Sequence, residues 1–395
     1  MSYRFLIVVL IVLSASFSDG QSMRLSNQSE IAIMTLGPYQ PELYSAFGHS
    51  AIRVHDPQAG IDWVYNYGVF DFEQENFYLN FAKGKMVYQL GLNSYPRFRD
   101  FYISQDRSVR EQYLNLTIEE KQQFFDFLQW NYLPENRAYN YNYVYDNCAS
   151  KLPEVVNEIF GDRITYDSIV SNKSVRDLMH DYLTYQPWGM WMIDIGLGQQ
   201  IDGTASQTEY LFLPDYVFEA FETAKITRSN TTVPLVSRTI DIYQSAETPE
   251  NAGWLTPMNF FILLFFIGGY LTHFDMKRNH RSNWLDVIVF GFAGFVGVWL
   301  VFLWAGTAHL STWNHDLLWA IPFHFIVLFF INKPKHLVWV RKYFTVTAYL
   351  YGLLLILWAV LPEPIHMALV PFVLLLLLRS AYISYHMKRP ISKQK

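Results

Sequence analysis

Cysteine is almost absent from this chain, since Cys148 is the only one among 395 residues. A single thiol cannot form an internal disulfide, and scattered histidines without ligand spacing do not make a zinc site. We therefore expect no metal and no cofactor. Charge is also scarce, at 16% of residues, and the net charge is −5. No basic stripe runs through the polar part of the sequence, so nucleic acid is not expected as a partner.

Long apolar runs, in contrast, occur at both ends of the chain. Residues 1–21 have the layout of a secretory signal, in which Arg4 precedes an apolar run over 5–13 and small residues follow. The run is shorter than the roughly 20 residues of a spanning helix. Residues 1–21 are therefore predicted to be a signal peptide or an uncleaved N-terminal anchor. Residues 22–254 then predict an exported soluble domain.

The C-terminal region, residues 255–395, reads as an all-α membrane domain with five spans. The predicted spans are 257–274, 284–306, 316–332, 343–361 and 365–384. The first and third loops and the C-terminal tail carry several Lys and Arg residues, whereas the second and fourth loops carry none. Basic loops stay in the cytoplasm. This pattern predicts a cytoplasmic C-terminus and a soluble domain on the opposite side of the membrane.

A β-hairpin is predicted near the start of the soluble domain. Residues 48–54 and 61–69 are rich in β-branched and aromatic residues, and a turn composition separates them. If the turn centres near Gln58, His49 on the first arm lies opposite Asn66 on the second. The hairpin thus provides a histidine with an amide partner.

Helices are predicted in the second part of this domain. Thr117 to Glu120 is a capping box that opens one helix, and the apolar spacing after Cys148 predicts another, closed by Gly161. Together with the strands they predict an α+β domain. Asp194 and Asp202, which flank a Gly-Leu-Gly stretch, are interpreted as turn residues rather than substrate contacts.

Cys148 and His49 are the predicted nucleophile and base. Cys148 stands just before a predicted helix, where the helix dipole and backbone N–H groups favour a thiolate. A histidine beside it would accept the thiol proton, which is the papain-like arrangement with the chain order of circularly permuted papain-like folds. Asn66 is the candidate for orienting the imidazole. The backbone N–H of Cys148 and the side chain of Asn147 are candidates for stabilising an oxyanion.

Three motifs carry a resemblance to a known family. They are FGHSAIRV at 47–54, YNYGVFDF at 65–72 and YDNCAS at 145–150. These motifs and the layout of the chain resemble the Lnb family of bacterial lipoprotein N-acyltransferases. The resemblance implies an exported papain-like domain joined to a five-helix membrane domain in the bacterial inner membrane, with its catalytic part in the periplasm.

The resemblance also implies a reaction. An acyl chain would move from a membrane phospholipid, through a thioester on Cys148, to the α-amino group of a diacylglyceryl-cysteine lipoprotein. The phospholipid and the diacylated apolipoprotein would be the partners, and tethering to the same bilayer raises their effective concentration. Three alternatives stay open: a membrane-anchored papain-like cell-wall peptidase, a phospholipase that uses the same Cys/His pair, and a receptor in which both residues are structural.

Overall fold

The computed structural model describes residues 23–70, 73, 75–169, 171–246 and 253–388. The predicted signal at 1–21 lies outside these residues. An α/β domain comes first and a helical membrane region follows. The strands described are β1 (Glu30–Leu36), β2 (His49–Asp56), β3 (Ile61–Val69), β4 (Met86–Ser94), β5 (Val109–Leu114), β6 (Ala138–Tyr141), β7 (Ile164–Thr165), β8 (Lys225–Arg228), β9 (Thr231–Pro234) and β10 (Val236–Tyr243).

Seven of these strands form one antiparallel sheet in the order β10-β5-β1-β2-β3-β4-β6, and β7-β8-β9 form a small second sheet. The predicted hairpin is confirmed as the β2–β3 pair. Its register differs from the prediction by two residues, because Ile52 pairs with Tyr65. Continued along the strands, this register places His49 opposite Gly68. Asn66 is then a diagonal neighbour of His49, still within reach of its side chain.

Helices cover both faces of the large sheet. The described helices are α1 (Phe77–Ala82), α2 (Tyr95–Ser104), α3 (Ile118–Tyr132), α4 (Lys151–Phe160), α5 (Val175–Leu183), α6 (Pro187–Gly196), α7 (Gln207–Tyr210), α8 (Pro214–Thr223), α9 (Pro257–Arg278), α10 (Asn283–Gly306), α11 (Phe323–Leu328), α12 (Leu337–Leu357) and α13 (Val370–His386). Helices α3, α4 and α8 bury their apolar residues in one cluster, and α2 packs in another with residues of β1, β2 and β3.

The start of α3 and the end of α4 lie where the sequence signals predict them. The capping box of Thr117 and Glu120 is formed at the start of α3. Gly161 ends α4 with a φ of 57°, a conformation that glycine adopts without a steric cost. Leu152 and Val156 are fully buried on the core face of α4. Burial of this face fixes the position of the α4 N-terminus, and with it the loop that carries Cys148.

Within the described part of the chain, four helices are long and apolar enough to span a bilayer: α9, α10, α12 and α13. The predicted third span, 316–332, is not a continuous helix. It consists of a 3₁₀ turn at His315–Leu318 and the short helix α11, with Pro322 between them. Proline lacks the N–H that a continuous helix requires. The irregular backbone fits against α10 because a Cβ at Gly297 would lie 2.0 Å from the oxygen of Ala320.

A buried ion cluster joins the α/β domain to the membrane region. The guanidinium of Arg176 on α5 donates to Asp202 at 2.6 Å and to Asp194 at 3.1 Å, and lies 3.7 Å from Glu363 in the loop before α13. Arg176 is only 2% exposed. The interpretation as turn residues is wrong for Asp194, which lies in α6, whereas Asp202 directly follows a 3₁₀ turn at Gln199–Ile201. Both carboxylates neutralise the buried cation. The cluster holds the two regions in a fixed relation.

Candidate active site

His49 owes its position to the glycine before it. Gly48 has a φ of +83°, and a Cβ there would lie 2.8 Å from the oxygen of Leu36. Only glycine tolerates both conditions. The chain can therefore turn sharply into β2, and His49 becomes the first residue of that strand, next to Leu36 at the end of β1.

Cys148 lies in the turn that leads into α4. Two residues later, Ser150 is the N-cap of this helix. The cysteine as a whole residue is partly exposed. Lys151, which follows the N-cap, pairs with Asp146 at 2.8 Å and lies 4.8 Å from the centre of the Tyr139 ring. Lys151 therefore connects the turn, through Asp146, to the ring of Tyr139 on β6.

The side chain of Asn147 holds this turn together. Its amide nitrogen donates to the backbone oxygens of Tyr143 at 3.0 Å and Phe212 at 2.8 Å. Its amide oxygen accepts from the backbone nitrogens of Ala149 and Ser150. Both amide hydrogens are used, so the predicted oxyanion role of the Asn147 side chain does not fit this geometry. Asn147 is a positioning residue for the cysteine loop.

A bulge in β3 brings the backbone to the sulfur. The β3–β4 register shifts between Asn66 and Val69, and Gly68 within the shift has a φ of +89°. A Cβ at Gly68 would lie 3.5 Å from the Cβ of Cys148. The bulge therefore forms one wall of the site, and it keeps that wall free of side-chain atoms next to the nucleophile.

The predicted partners of the cysteine meet at this wall. The Nε2 atom of His49 lies 2.6 Å from the Oδ1 atom of Asn66. The imidazole is close enough to the Cys148 thiol for the two groups to shift each other's pKa. An amide oxygen only accepts, so Nε2 carries the hydrogen in this pair. This assignment leaves Nδ1 to accept the thiol proton. His49, Asn66 and Cys148 thus form a connected line, as a general base, its orienting group and its nucleophile require.

Opposite shifts in pKa accompany this contact. Burial raises the pKa of the Cys148 thiol, but the charge and hydrogen bond of His49, together with the backbone N–H groups of Ser50 and Cys148, lower it by more. Burial lowers the pKa of His49, whereas Cys148 and the hydrogen bond to Asn66 raise it above its usual value. Each charged form stabilises the other, which favours a thiolate–imidazolium pair.

Tyr102 and Arg107 lie near His49, although no motif in the sequence marks either of them as part of the site. The ring of Tyr102 on α2 stacks on the imidazole with a centroid distance of 6.1 Å and an interplanar angle of 6°. Arg107 lies over the ring of Tyr102, 4.5 Å from its centroid, and is only 4% exposed. Its Nε donates to the oxygen of Gly37 at 2.7 Å. The stack fixes the plane of the imidazole and adds a buried positive charge beside the pair.

The assembled site can support covalent catalysis by a thiolate. A partly exposed cysteine, a base with a defined free nitrogen and an orienting amide are all present. The backbone N–H of Cys148 stays the predicted oxyanion donor, and the catalytic roles of Cys148, His49 and Asn66 stay predictions. What the geometry adds is that residues far apart in sequence meet at one point of the fold.

Comparison with known proteins adds the family. Residues 24–179 match the family model of the Lnb N-terminal periplasmic domain, and residues 249–390 match that of the Lnb transmembrane domain. No curated protein and no solved structure matches the chain. Together the two family matches cover well over half of the sequence, and they occur in the order found in the fold. The chain therefore belongs to the Lnb family of bacterial lipoprotein N-acyltransferases, with a periplasmic domain followed by a transmembrane domain.

Proposed function

We propose that this protein transfers an acyl chain from a membrane phospholipid to the α-amino group of a diacylglyceryl-cysteine lipoprotein, through a thioester on Cys148. The observation that carries the proposal is the Cys148–His49–Asn66 line, located in a domain that is held against membrane helices. The family supports an acyltransferase. A covalent intermediate suits the task, because donor and acceptor can then bind one after the other.

The geometry of the site supports a two-step reaction. The Cys148 sulfur attacks the carbonyl carbon of a phospholipid ester while Nδ1 of His49 holds the thiol proton. The carbon–oxygen bond breaks, and His49 returns that proton to the departing lysophospholipid oxygen. The lipoprotein amine then attacks the thioester and loses a proton to His49, and the sulfur leaves. Stacking of His49 on Tyr102 and its bond to Asn66 keep Nδ1 directed at the sulfur through both steps.

The fold proposed for the catalytic domain is a circularly permuted papain-like one. Its support is the order of the residues, with the histidine on a strand that precedes the cysteine at a helix start. Such constellations are defined by geometry and roles rather than by chain order. We propose 22–254 as this domain and 255–395 as the membrane domain.

In the membrane we propose five passes through the bacterial inner membrane, with the third pass made by the broken segment. The start of that segment contacts the loop before α13, because the backbone nitrogen of His315 donates to Glu363 at 2.6 Å. Its far end contacts the loop between α9 and α10, because Arg281 donates to the oxygen of Ile331 and to Asn332. These loops lie at opposite ends of the helices. A helix of normal length is thus not needed for this crossing.

The test is mass spectrometry of lipoprotein N-termini in cells that lack the gene and in cells complemented with the wild-type protein, Cys148→Ala or His49→Ala. We expect triacylated N-termini with the wild type only. Diacylated N-termini in all strains, or triacylated N-termini with the Cys148→Ala variant, would refute the proposal.

Two further assays separate the alternatives. Cleavage of muropeptides by the purified protein, without acylation of its thiol, would indicate a cell-wall peptidase. Release of free fatty acid in the presence of a diacylated lipopeptide acceptor, without transfer to that acceptor, would indicate a phospholipase.

A further inference from the structure

The short helix α1 exposes a cluster of large apolar side chains. Tyr78 is 79% exposed, and Leu79 and Phe81 are each 51% exposed. None of the six residues of α1 is buried. Adjacent exposed aromatic and aliphatic side chains of this kind mark a surface that contacts another apolar phase.

The location of α1 identifies that phase as the bilayer. The backbone nitrogen of Ala308 donates to the oxygen of Lys83 at 2.8 Å, and His309 Nε2 lies 3.2 Å from the oxygen of Phe81. Ala308 and His309 directly follow the periplasmic end of the membrane helix α10. The end of α1 is therefore fixed at the height where α10 leaves the membrane, on the side of the α/β domain.

The flanking residues fit the same surface. Trp299 and Phe302, one to two turns below the end of α10, are 46% and 37% exposed. Exposed aromatic residues at this depth belong to the interface with lipid. Lys83 and Lys85, just after α1, place positive charge where the phosphates of lipid headgroups lie.

A row of aromatic rings leads from α1 to the nucleophile. We call Phe70, Phe77, Tyr88 and Tyr141 the aromatic track. Centroid distances are 6.2 Å between Phe77 and Phe70, 5.2 Å between Phe70 and Tyr88, and 4.2 Å between Tyr88 and Tyr141.

The aromatic track begins at α1 and ends beside Cys148. At the membrane end, Phe77 lies 6.2 Å from Phe81 of α1. At the other end, a Cβ on Gly68 would lie 4.0 Å from the ring of Tyr141 and 3.5 Å from the Cβ of Cys148. Contacts between aromatic side chains thus continue from the membrane surface to the wall beside the sulfur.

These rings do not belong to the domain core. Core rings such as those of Phe124 and Phe125 are fully buried, whereas Phe70 is 36% exposed and the other three rings of the track are partly exposed. A row of rings that stays accessible offers an apolar surface to a ligand. A plain packing role does not require that accessibility.

We propose that α1 inserts into the outer leaflet and that the aromatic track binds the acyl chain of the donor phospholipid on its way to Cys148. This inference rests on the proposed function. The donor is the ligand chosen because its acyl carbonyl must reach the sulfur with the rest of the chain trailing toward the membrane. The lipoprotein acceptor reaches the thioester with its polar amino group instead, so its chains have no need of this path.

The test uses the full-length protein in phospholipid nanodiscs and measures acylation of Cys148 by intact mass spectrometry. The first variant is the triple replacement Tyr78→Ser, Leu79→Ser and Phe81→Ser, which changes exposed side chains only. The second is Tyr88→Ala within the track. Phe101→Ser is the matched control, since Phe101 is 55% exposed but lies on α2. Acylation by p-nitrophenyl acetate, which is small and soluble, reports on the thiol alone.

We expect both variants to lose tenfold or more of the rate with phospholipid, while their rate with p-nitrophenyl acetate and both rates of the control stay within twofold of wild type. With a series of donor chain lengths, the wild type should discriminate by up to roughly fourfold per methylene, and Tyr88→Ala by less. Wild-type rates with phospholipid in both variants would overturn the inference. So would normal thioester formation followed by slow transfer, which would assign the track to the acceptor.

The two proposals fail in different ways. If the wild-type thiol reacts with p-nitrophenyl acetate but never with phospholipid, the proposed function is wrong. The inference about the aromatic track is then wrong as well, because it rests on that function. If the wild type and both variants take acyl chains equally well from phospholipid, only the inference about α1 and the aromatic track is wrong.

Discussion

Replacement of Asn66 by alanine tests the orienting group of the site. The pair Asn66 Oδ1–His49 Nε2 is 2.6 Å long, and the imidazole is the cation of the proposed ion pair. A hydrogen bond to a charged group contributes about 1.5–3 kcal/mol. At about 1.4 kcal/mol per factor of ten, Asn66→Ala should slow acylation of Cys148 by roughly 10- to 150-fold. Both side chains are partly exposed, so we expect the lower half of this range.

The assay is a single turnover with phospholipid in nanodiscs, followed over a range of pH. Loss of Asn66 removes a group that raises the pKa of His49. The imidazolium should therefore be lost at lower pH in Asn66→Ala than in the wild type. The alkaline limb of the pH–rate profile should move to lower pH accordingly. Asn66→Asp, whose carboxylate stabilises the imidazolium, should recover most of the rate and move the alkaline limb to higher pH.

Asn93→Ala is the control, because Asn93 is a partly buried asparagine on the neighbouring strand β4, paired with Val64. Its rate and pH profile should match the wild type, and both alanine variants should unfold at similar temperatures. A wild-type rate and profile in Asn66→Ala would refute the orienting role. An equal loss in Asn93→Ala would show that the effect is one of general stability.

Three more predictions address other parts of the account. Because His49 lowers the pKa of Cys148, His49→Ala should shift alkylation of the thiol by iodoacetamide to higher pH and slow acylation roughly 10²- to 10⁴-fold; unchanged alkylation would contradict this. Gly68→Val should cost roughly 10²-fold in acylation, whereas Gly60→Val, at a similar φ but with open space around it, should cost stability only. Arg176→Met should lower the free energy of unfolding by about 3–5 kcal/mol, since three buried carboxylates lose their cation, and thermal unfolding in detergent measures it.

The sequence predicts the hairpin and its two arms well, because alternation and turn composition are local signals. The register is missed by two residues for a local reason as well. The side chain of Asp56 accepts from the backbone nitrogens of Gln58 and Ala59, and Gly60 takes a positive φ. The turn therefore closes between Asp56 and Ile61 rather than around Gln58. His49 and Asn66 meet nevertheless, because diagonal neighbours on one face of a sheet lie within side-chain reach.

Contacts that the sequence does not reveal explain where the structure differs from the predictions. The amide of Asn147 is taken by the oxygen of Phe212, which is 65 residues away in the chain. Hydropathy of 316–332 reports its composition, but not that Pro322 interrupts the helix or that Gly297 lets an irregular backbone approach α10. Arg107 has no motif around it, and only the fold places its charge beside Tyr102.

The central claim is that the sulfur of Cys148 carries an acyl chain, and intact-protein mass spectrometry tests it most directly. The wild-type protein is incubated with phospholipid in nanodiscs without acceptor, alongside Cys148→Ala. We predict a mass increase of one acyl chain in the wild type that hydroxylamine removes, that a diacylated lipopeptide discharges, and that Cys148→Ala lacks. An unmodified wild-type protein, or an equal adduct on Cys148→Ala, would contradict the account.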